Sequence, residues 1–472
     1  MAWTSIVMVV YLVILAFLSL NGMHRLWMLW AFRRRHAYAE VRPPAEWPMV
    51  TVQLPMFNEQ HVARRLILAV GALRYPRDRL FVQVLDDSTD TTTDIARQAV
   101  DELVQSGVDA VLVHRTDRTG FKAGALDEGL ATAKGDLIAV FDADFVPPPS
   151  FLEQVVPHFQ DGVGMVQARW GHLNPDTSWL TGAQATLLDG HFVVEHTARH
   201  TAGRWFNFNG TAGIWRRQAI EDAGGWQHDT LTEDLDLSYR AQLAGWAFRY
   251  LHEVVAPAEL PPDMPAFKTQ QHRWAKGSIQ TAVKLLGRIW RAPVPFPVKL
   301  EATAHLTANT SYPLVVLLSI LLPFAVYARI EGGLSALLVV DAVLFVLAVF
   351  PFVLFYAAAI WHAGAGSRRQ RLARLPVVLA LGMGMAVSQT RAVLEGLFGE
   401  VGTFVRTPKV GDAAVVAYRA ATRGLVGLEL ALAVYLTAAL GYTMSQGYWA
   451  SVPFLGLFAA GYGTVGLSSL RA

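Results

Sequence analysis

Residues 137–149 read LIAVFDADFVPPP, an apolar run that ends in two carboxylates and three prolines. A short apolar run bounded by loop residues predicts a buried strand of a parallel sheet. Asp142 and Asp144 follow at its carboxyl end, the edge at which open α/β sheets bind ligands. Two carboxylates so placed can share one divalent cation with a diphosphate, whereas a solvated acidic turn is the simpler alternative.

Three similar apolar runs precede this one, at residues 50–54, 81–85 and 110–113, and they alternate with helical patterns. From Val50 to about Pro297 no segment is long and apolar enough to cross a bilayer. The region is therefore predicted to be one globular α/β domain.

A second acidic cluster, residues 86–90 with the sequence DDSTD, follows the run at 81–85. A carboxylate at a strand end can accept hydrogen bonds from a nucleobase N–H or from ribose hydroxyls. Helix capping by Ser88 or Asp90 explains those two residues equally well. Asp87 is therefore the functional candidate of this cluster.

A third cluster, Thr232-Glu233-Asp234, precedes a helical pattern. Taken alone it fits a helix N-terminus with Thr232 as the capping residue and two carboxylates in the first turn. The functional alternative is a general base, because a sugar hydroxyl that attacks an anomeric carbon must lose its proton.

The fourth cluster is residues 270–274, with the sequence QQHRW. The Arg273 guanidinium is suited to binding a departing diphosphate, and the Trp274 indole offers a face for a sugar ring. The alternative is an amphipathic interfacial helix in which Arg and Trp serve as anchors.

Composition places this domain in a membrane protein. Of the 472 residues, 53% are hydrophobic and 17% charged, and the mean hydropathy of +0.31 is too high for an ordinary soluble protein. The net charge of +2 gives no indication of nucleic-acid binding. The absence of cysteine excludes disulfides and thiolate metal sites.

The apolar segments predict five transmembrane spans, at about residues 4–23, 306–328, 334–361, 425–444 and 448–470. The run at 376–387 is short and suits an interfacial or re-entrant segment. Arg33, Arg34 and Arg35 follow the first span, so the positive-inside rule places the globular domain in the cytosol. Asp341 and Glu429 lie in predicted spans, where ionisable residues suggest function, but each is close enough to a span end to snorkel to the interface.

Together the clusters resemble the processive, membrane-integrated family 2 glycosyltransferases: bacterial cellulose synthase and, more closely, plant cellulose-synthase-like mannan and glucan synthases. The resemblance covers roughly residues 50–411. The matching segments are LDDSTD at 85–90, GFKAGAL at 120–126, FDADF at 141–145, GTAG at 210–213, TED at 232–234 and the QxxRW pattern at 270–274.

The resemblance implies an α/β GT-A domain, Rossmann-like and cytosolic, beneath an α-helical transmembrane bundle of about five spans. It assigns donor binding to Asp87, Lys122, Asp142, Gln270 and Arg273, and binding of Mg²⁺ or Mn²⁺ to Asp142 and Asp144. It makes Asp234, with Glu233 beside it, catalytic, and gives acceptor binding to Trp274, Gly210 and Thr211.

One further match lies at residues 404–409, FVRTPK, which is similar to the FxVTxK gating loop of the family. Phe404, Thr407 and Lys409 would contact the bound donor. An arginine stands where the family pattern has valine, so this loop departs from the pattern at one position.

The sequence predicts a transmembrane helix at 1–32, the glycosyltransferase domain at 48–275 and an amphipathic interfacial helix region at 276–300. Transmembrane helices 2 and 3 follow at 304–361, a cytosolic or interfacial segment at 366–423 with the gating loop at 400–412, and helices 4 and 5 at 424–472.

The implied activity is inverting transfer of a sugar from UDP-glucose or GDP-mannose, with secretion of a β-linked polysaccharide across a bacterial-type inner or plasma membrane. The resemblance also allows accessory export or periplasmic subunits. Two alternatives stay open: a synthase that adds one sugar to diacylglycerol or ceramide, and a transporter whose domain only binds nucleotide. The tryptophans Trp170, Trp205 and Trp274, as sugar platforms, favour a polymer.

Overall fold

A computed structural model describes residues 2–35, 41–332, 337–364, 367–399, 402 and 423–470. The predicted gating-loop residues Phe404, Thr407 and Lys409 lie outside these ranges.

The domain is built on a sheet of seven strands: β1 Val50–Met56, β2 Leu80–Asp86, β3 Asp109–His114, β4 Leu137–Val140, β5 Val163–His172, β6 Gly213–Arg216 and β7 Ala247–Ala258. Their order is β3-β2-β1-β4-β6-β5-β7. Only β6 runs antiparallel to its neighbours, β4 and β5. The four predicted strands are β1 to β4, and the mixed sheet confirms the α/β GT-A expectation.

The helices are α1 Ala2–Arg33, α2 Ala63–Gly71, α3 Thr92–Gln105, α4 Phe121–Thr132, α5 Phe151–Val155, α6 Trp179–Asp189, α7 Thr197–Thr201, α8 Arg217–Asp222, α9 Glu233–Leu243, α10 Met264–Arg291, α11 Phe296–Leu306, α12 Ser311–Gly332, α13 Leu337–Ala363, α14 Arg368–Ala373, α15 Leu375–Gly384, α16 Ala386–Phe398, α17 Arg423–Ser445 and α18 Val452–Leu470. A π-helix, Gly190–His196, joins α6 to α7. Short 3₁₀ turns lie at Arg77–Arg79, Val156–His158, Ala308–Thr310 and Trp449–Ser451.

The central strands are apolar on both faces because helices cover both faces of the sheet. Val52 and Leu54 pack into the cluster beneath α2 and α3, whereas Ile138 and Val140 pack into the cluster on the opposite face. Near-continuous burial of this kind is the reason the strands read as apolar runs and show no alternation. Their polar carboxyl ends are then the places where functional side chains can reach solvent.

Among the described residues, five helical stretches are long and apolar enough to span a membrane: Trp3–Arg33, Ala308–Arg329, Val339–Ala363, Leu425–Ser445 and Trp449–Leu470. These agree with the five predicted spans. The predicted short run at 376–387 belongs to a longer bent pair, Leu375–Gly384 and Ala386–Phe398, whose axes meet at 44°. Counted as one broken span, the pair would raise the number to six.

Helix α10 connects the sheet domain to this bundle. Its first turn packs Met264 and Phe267 against Val378 and Leu381 of α15. Farther along, Gly277 approaches Thr232 so closely that an added Cβ would lie 2.5 Å from its methyl group. The helix is continuous across residues 275 and 276, where the sequence places a domain boundary, because its apolar side packs first on the bundle and then on the domain.

The charged residues in the spans are paired inside the bundle. Lys268 of α10 contacts both carboxylate oxygens of Glu429 at 2.8 and 2.7 Å. Asp341 accepts a hydrogen bond from the Tyr11 hydroxyl at 2.7 Å and lies 2.5 Å from the Arg329 guanidinium. Glu429 and Asp341 are buried among protein groups, each beside a basic partner.

Candidate active site

A pocket opens at the carboxyl edge of the sheet, and all four sequence clusters contribute to its wall. The predicted residues that line it are Asp87, Lys122, Asp142, Asp144, Gly210, Glu233, Asp234, Gln270, Arg273 and Trp274. Thr211 lies behind this wall, where its hydroxyl accepts a hydrogen bond from the Asp142 backbone N–H at 2.9 Å. Residues separated by nearly two hundred positions in the chain therefore form one site.

Lys122 lies between the two acidic motifs. Its ammonium donates to Asp142 Oδ1 at 2.5 Å and to the Gly210 carbonyl at 2.8 Å, and it is 4.0 Å from Glu233. Burial lowers the pKa of Lys122, but the attraction of Asp142, Glu233 and Asp234 outweighs burial and the pKa is raised. The side chain is therefore a fixed positive charge between the carboxylates.

Asp234 has the most perturbed carboxyl group of the site. Burial and the neighbouring charge of Glu233 raise the pKa of Asp234 to about 7, against the opposing effects of Lys122 and of a hydrogen bond from the Leu235 N–H. That hydrogen bond is 2.8 Å long. A carboxyl group that titrates near neutral pH is suited to general base catalysis.

The glycine at position 210 is required by two features of the structure. Its φ of 80° lies in the left-handed region that favours glycine. A Cβ there would lie 3.0 Å from Asp234 Oδ2 and 3.2 Å from the Lys122 ammonium. A side chain at this position would push against both functional groups.

Asp142 and Asp144 fit a divalent cation that also binds a diphosphate. Both line the pocket, and about a third of the Asp142 side chain is exposed to it. Within the described residues no three His, Cys, Asp or Glu side chains form a complete protein-only metal cluster. Mg²⁺ is characteristically held by one or two carboxylates together with substrate phosphates, so a two-carboxylate set suits this role.

Asp87 is held by an arginine that sequence reasoning missed. Arg115 donates to both oxygens of Asp87, at 2.7 and 2.6 Å. This interaction occupies two of about four acceptor positions of the carboxylate and leaves the others for a nucleoside. Because Arg115 directly follows β3 at the same sheet edge, the strand-end rule that selected Asp87 also applies to it.

Arg273 faces the carboxylates of the pocket. Burial lowers the pKa of its guanidinium, and the charges of Glu233 and Asp142 oppose that shift. In the next position, the Trp274 ring lies edge-on to Trp170 at 6.4 Å, and Trp170 stacks on Phe192 at 4.8 Å. Two indoles thus border the pocket.

Two sequence interpretations can be compared with the structure. Thr232 is the N-cap residue of α9, with Glu233 and Asp234 in the first turn of the helix, as the capping alternative predicts. Its side chain makes no capping hydrogen bond, and its hydroxyl lies 3.4 Å from that of Thr281 of α10. Trp205 packs on Tyr239 at a ring distance of 6.0 Å, away from the residues that line the pocket, and is not a sugar platform.

A GT-A-like sheet with two carboxylates for a metal diphosphate, a carboxyl group that titrates near neutrality and bordering indoles defines a class, the nucleotide-sugar-dependent glycosyltransferases. The family described as "Glycosyltransferase like family 2" matches residues 48–277. Residues 48–277 therefore match a glycosyltransferase family 2 domain, which confirms the resemblance drawn from the motifs.

Two curated proteins of rice, Oryza sativa subsp. japonica, are similar to this chain. Probable glucomannan 4-beta-mannosyltransferase 7 is 40% identical over 302 residues, which is 60% of this chain and 52% of the rice protein. Glucomannan 4-beta-mannosyltransferase 1 is 44% identical over 252 residues, 52% of this chain and 48% of the rice protein. The chain thus spans about half the length of these relatives.

A solved structure shares the fold. The mannosyltransferase PcManGT from Pyrobaculum calidifontis, determined in complex with GDP-Man and Mn²⁺, covers 82% of this chain and 99% of its own, with a TM-score of 0.54 and 22% identity.

Proposed function

We propose that this protein is a membrane-integrated, inverting mannosyltransferase that uses GDP-mannose to extend a β-linked polysaccharide. The observation that carries the proposal is the pocket in which Asp234 lies beside the Lys122–Asp142 pair and faces Arg273. The mannosyl donor is favoured over UDP-glucose by the two rice relatives, which are named as glucomannan mannosyltransferases.

The acceptor hydroxyl is activated by Asp234. Its raised pKa leaves the carboxylate basic enough to take the hydroxyl proton near neutral pH. The acceptor oxygen then bonds to the anomeric carbon while the bond to the diphosphate breaks. A single displacement converts an α-linked donor into a β-linked product.

The departing nucleoside diphosphate is stabilised from the opposite side. A divalent cation held by Asp142 and Asp144 would offset the charge that develops on the diphosphate. The Arg273 guanidinium binds the same diphosphate. Burial of this guanidinium limits the screening of that attraction by water.

The acceptor glycan would stack on Trp274, with Trp170 adjoining it. The same set of groups also suits transfer of a single sugar to a lipid. The catalytic domain is proposed to face the cytosol, because Arg33, Arg34 and Arg35 end the first span. A reporter fused after Gly411 that proved periplasmic would contradict this orientation.

The test uses purified protein in nanodiscs with Mn²⁺ and radiolabelled GDP-mannose or UDP-glucose, with the products separated into polymer and lipid extract. We expect label from GDP-mannose in a polymer that β-mannanase degrades. Label confined to the lipid extract would identify a glycolipid synthase. Equal polymer labelling from UDP-glucose, resistant to β-mannanase, would overturn the donor assignment.

A further inference from the structure

The π-helix Gly190–His196 brings two histidines together beside the pocket. Residues five apart align in a π-helix, and the rings of His191 and His196 lie 4.4 Å apart, tilted by 64°. Helices of this kind appear mostly as single-turn insertions and are frequent at functional sites. This one is seven residues long.

The two rings hold the side-chain amide of Asn209, a residue of the pocket wall. Asn209 Nδ2 donates to His191 Nε2 at 3.0 Å, and His196 Nε2 donates to Asn209 Oδ1 at 2.6 Å. His191 Nδ1 in turn donates to Glu195 at 3.1 Å. The His191 ring must be neutral in this arrangement, because its Nε2 accepts a hydrogen bond while its Nδ1 donates one. Burial lowers the pKa of His191 to about 3 and that of His196 well below its usual value, in agreement.

The opposite side of the π-helix is wedged against the bundle. A Cβ on Gly190 would lie 2.8 Å from the rings of Phe355 and Tyr356 of α13. Val193 and Val194 belong to one buried cluster with residues of α1 and α13. The histidine rings therefore have a rigid support.

Buried ion pairs fix the same element laterally. Glu195 pairs with Arg25 of α1 and lies 3.3 Å from Arg199. Arg199 in turn contacts Glu301 of α11 at 2.9 Å. The carboxylate that accepts from His191 is thus held by two arginines, one of them on the first span.

Asn209 begins the segment that places the catalytic groups. Its backbone N–H donates to Gln167 Oε1 at 3.0 Å. In the next residue, the Gly210 carbonyl accepts from Lys122 at 2.8 Å, and the Thr211 hydroxyl accepts from the Asp142 N–H at 2.9 Å. A shift of Asn209 would therefore displace the contacts of both Lys122 and Asp142.

We propose that His191 and His196 are positioning residues for sugar transfer, acting as a neutral clamp on Asn209 that holds Lys122 and Asp142 in place. The inference rests on the proposed glycosyltransferase function and adds two residues that none of the sequence motifs contains.

The test compares His191→Leu, which removes the acceptor for Asn209, with His191→Gln, which retains a polar side chain able to accept. A quarter of the His191 side chain is exposed, so the leucine variant is expected to fold. His200→Leu is the matched control, because His200 also lies in a buried helical segment but packs its ring on Phe206. Two quantities are measured: kcat for transfer, and the affinity for GDP or UDP with and without Mn²⁺.

A misplacement of about 1 Å typically lowers a rate by about 10². We expect His191→Leu to lower kcat by about ten- to a hundredfold and to weaken the Mn²⁺-dependent part of nucleotide affinity, whereas His191→Gln and His200→Leu stay near wild type. Asn209→Ala should lower kcat similarly. Combining it with His191→Leu should lower kcat no further, because both substitutions remove the same interaction.

A His191→Leu variant with wild-type kcat and wild-type Mn²⁺-dependent affinity would overturn the clamp, as would effects that multiply in the double variant. If His191→Leu does not fold, Asn209→Ala with His191→Gln decides the question by the same two measurements. A wild-type protein that binds nucleotide with Mn²⁺ but transfers no sugar would refute the proposed function, while the affinity comparison would still test the clamp.

Discussion

The pocket and the transmembrane bundle both bury charged side chains, but they arrange them differently. In the pocket, Glu233, Asp234 and Asp142 share the charge of Lys122, and the pKa of Asp234 is raised to about 7. In the bundle, by contrast, Lys268 pairs with Glu429 and Arg329 with Asp341, one charge against one.

This difference in the arrangement of charges indicates a different role for the charged groups of each region. A carboxylate crowded by other carboxylates exchanges its proton near neutral pH, which a general base requires. A matched pair in an apolar surrounding is stable only while both members remain. We therefore expect the charges of the pocket to support proton transfer and the matched pairs of the bundle to support helix association.

The largest effect is expected from Asp234→Asn. Without the carboxylate the acceptor hydroxyl keeps its proton, so the transfer rate should fall by about 10²–10⁴ while donor binding is preserved. Transfer is measured with radiolabelled donor and binding by titration calorimetry. Glu221→Gln, an exposed carboxylate paired with Arg217, is the control and should be without effect. Turnover at the wild-type rate by the asparagine variant would refute the assignment.

The bundle pair should respond to a single substitution and recover with the second. Lys268→Met leaves Glu429 buried without its partner, and loss of one member of such a pair typically costs about 3–5 kcal/mol. Adding Glu429→Leu should restore most of the stability, because two apolar side chains then meet. Thermal unfolding in one detergent measures the effect. Equal destabilisation of the single and double variants would show that the pairing does not matter.

The rate of sugar transfer should also depend on pH through the ionisation of Asp234. Asp234 must be deprotonated to act as a base, and its pKa is about 7. Below that pH, kcat/KM should fall by about tenfold per unit, whereas it should level off above it. Initial rates at subsaturating donor from pH 5 to 8.5 measure this. A flat profile between pH 5 and 7 would mean that another group accepts the proton.

The smallest effect is expected from an exposed pair in the sheet domain. Arg74 and Glu153 are 2.9 Å apart, but their side chains are 61% and 40% exposed. Such pairs contribute about 0–1 kcal/mol, so Arg74→Ala should barely change the unfolding temperature. A loss of stability as large as that of Lys268→Met would mean that burial does not distinguish the contributions of the two kinds of ion pair.

The sequence predicted strands β1 to β4, the five spans and the candidate residues that line the pocket because these depend on local patterns. Apolar runs of fixed length identify strands and spans, and the strand-end rule selects Asp87, Asp142 and Asp144. The order of the motifs then identifies the family.

Contacts between distant segments were not predictable in this way. Lys268 and Glu429 are 161 positions apart, and nothing local in either segment indicates the other. The clamp on Asn209 depends on a π-helix, for which the pattern of residues 190–196 carries no recognised signal. Thr232 takes the N-cap position that its pattern predicts, but the local pattern does not show that its side chain packs against Gly277 of α10 and makes no capping hydrogen bond.

The most direct test of the contrast between the two regions is the stability of Asp234→Asn as a function of pH. Because the folded-state pKa of Asp234 is raised from 3.8 to about 7, ionising this group destabilises the folded protein, and the penalty grows as the pH rises through that range. The asparagine variant should therefore transfer sugar about 10²–10⁴ more slowly than wild type, yet melt at a higher temperature, with a difference that increases from pH 5 to pH 8. Transfer at the wild-type rate, or a difference in melting temperature that does not change with pH, would contradict the role of Asp234.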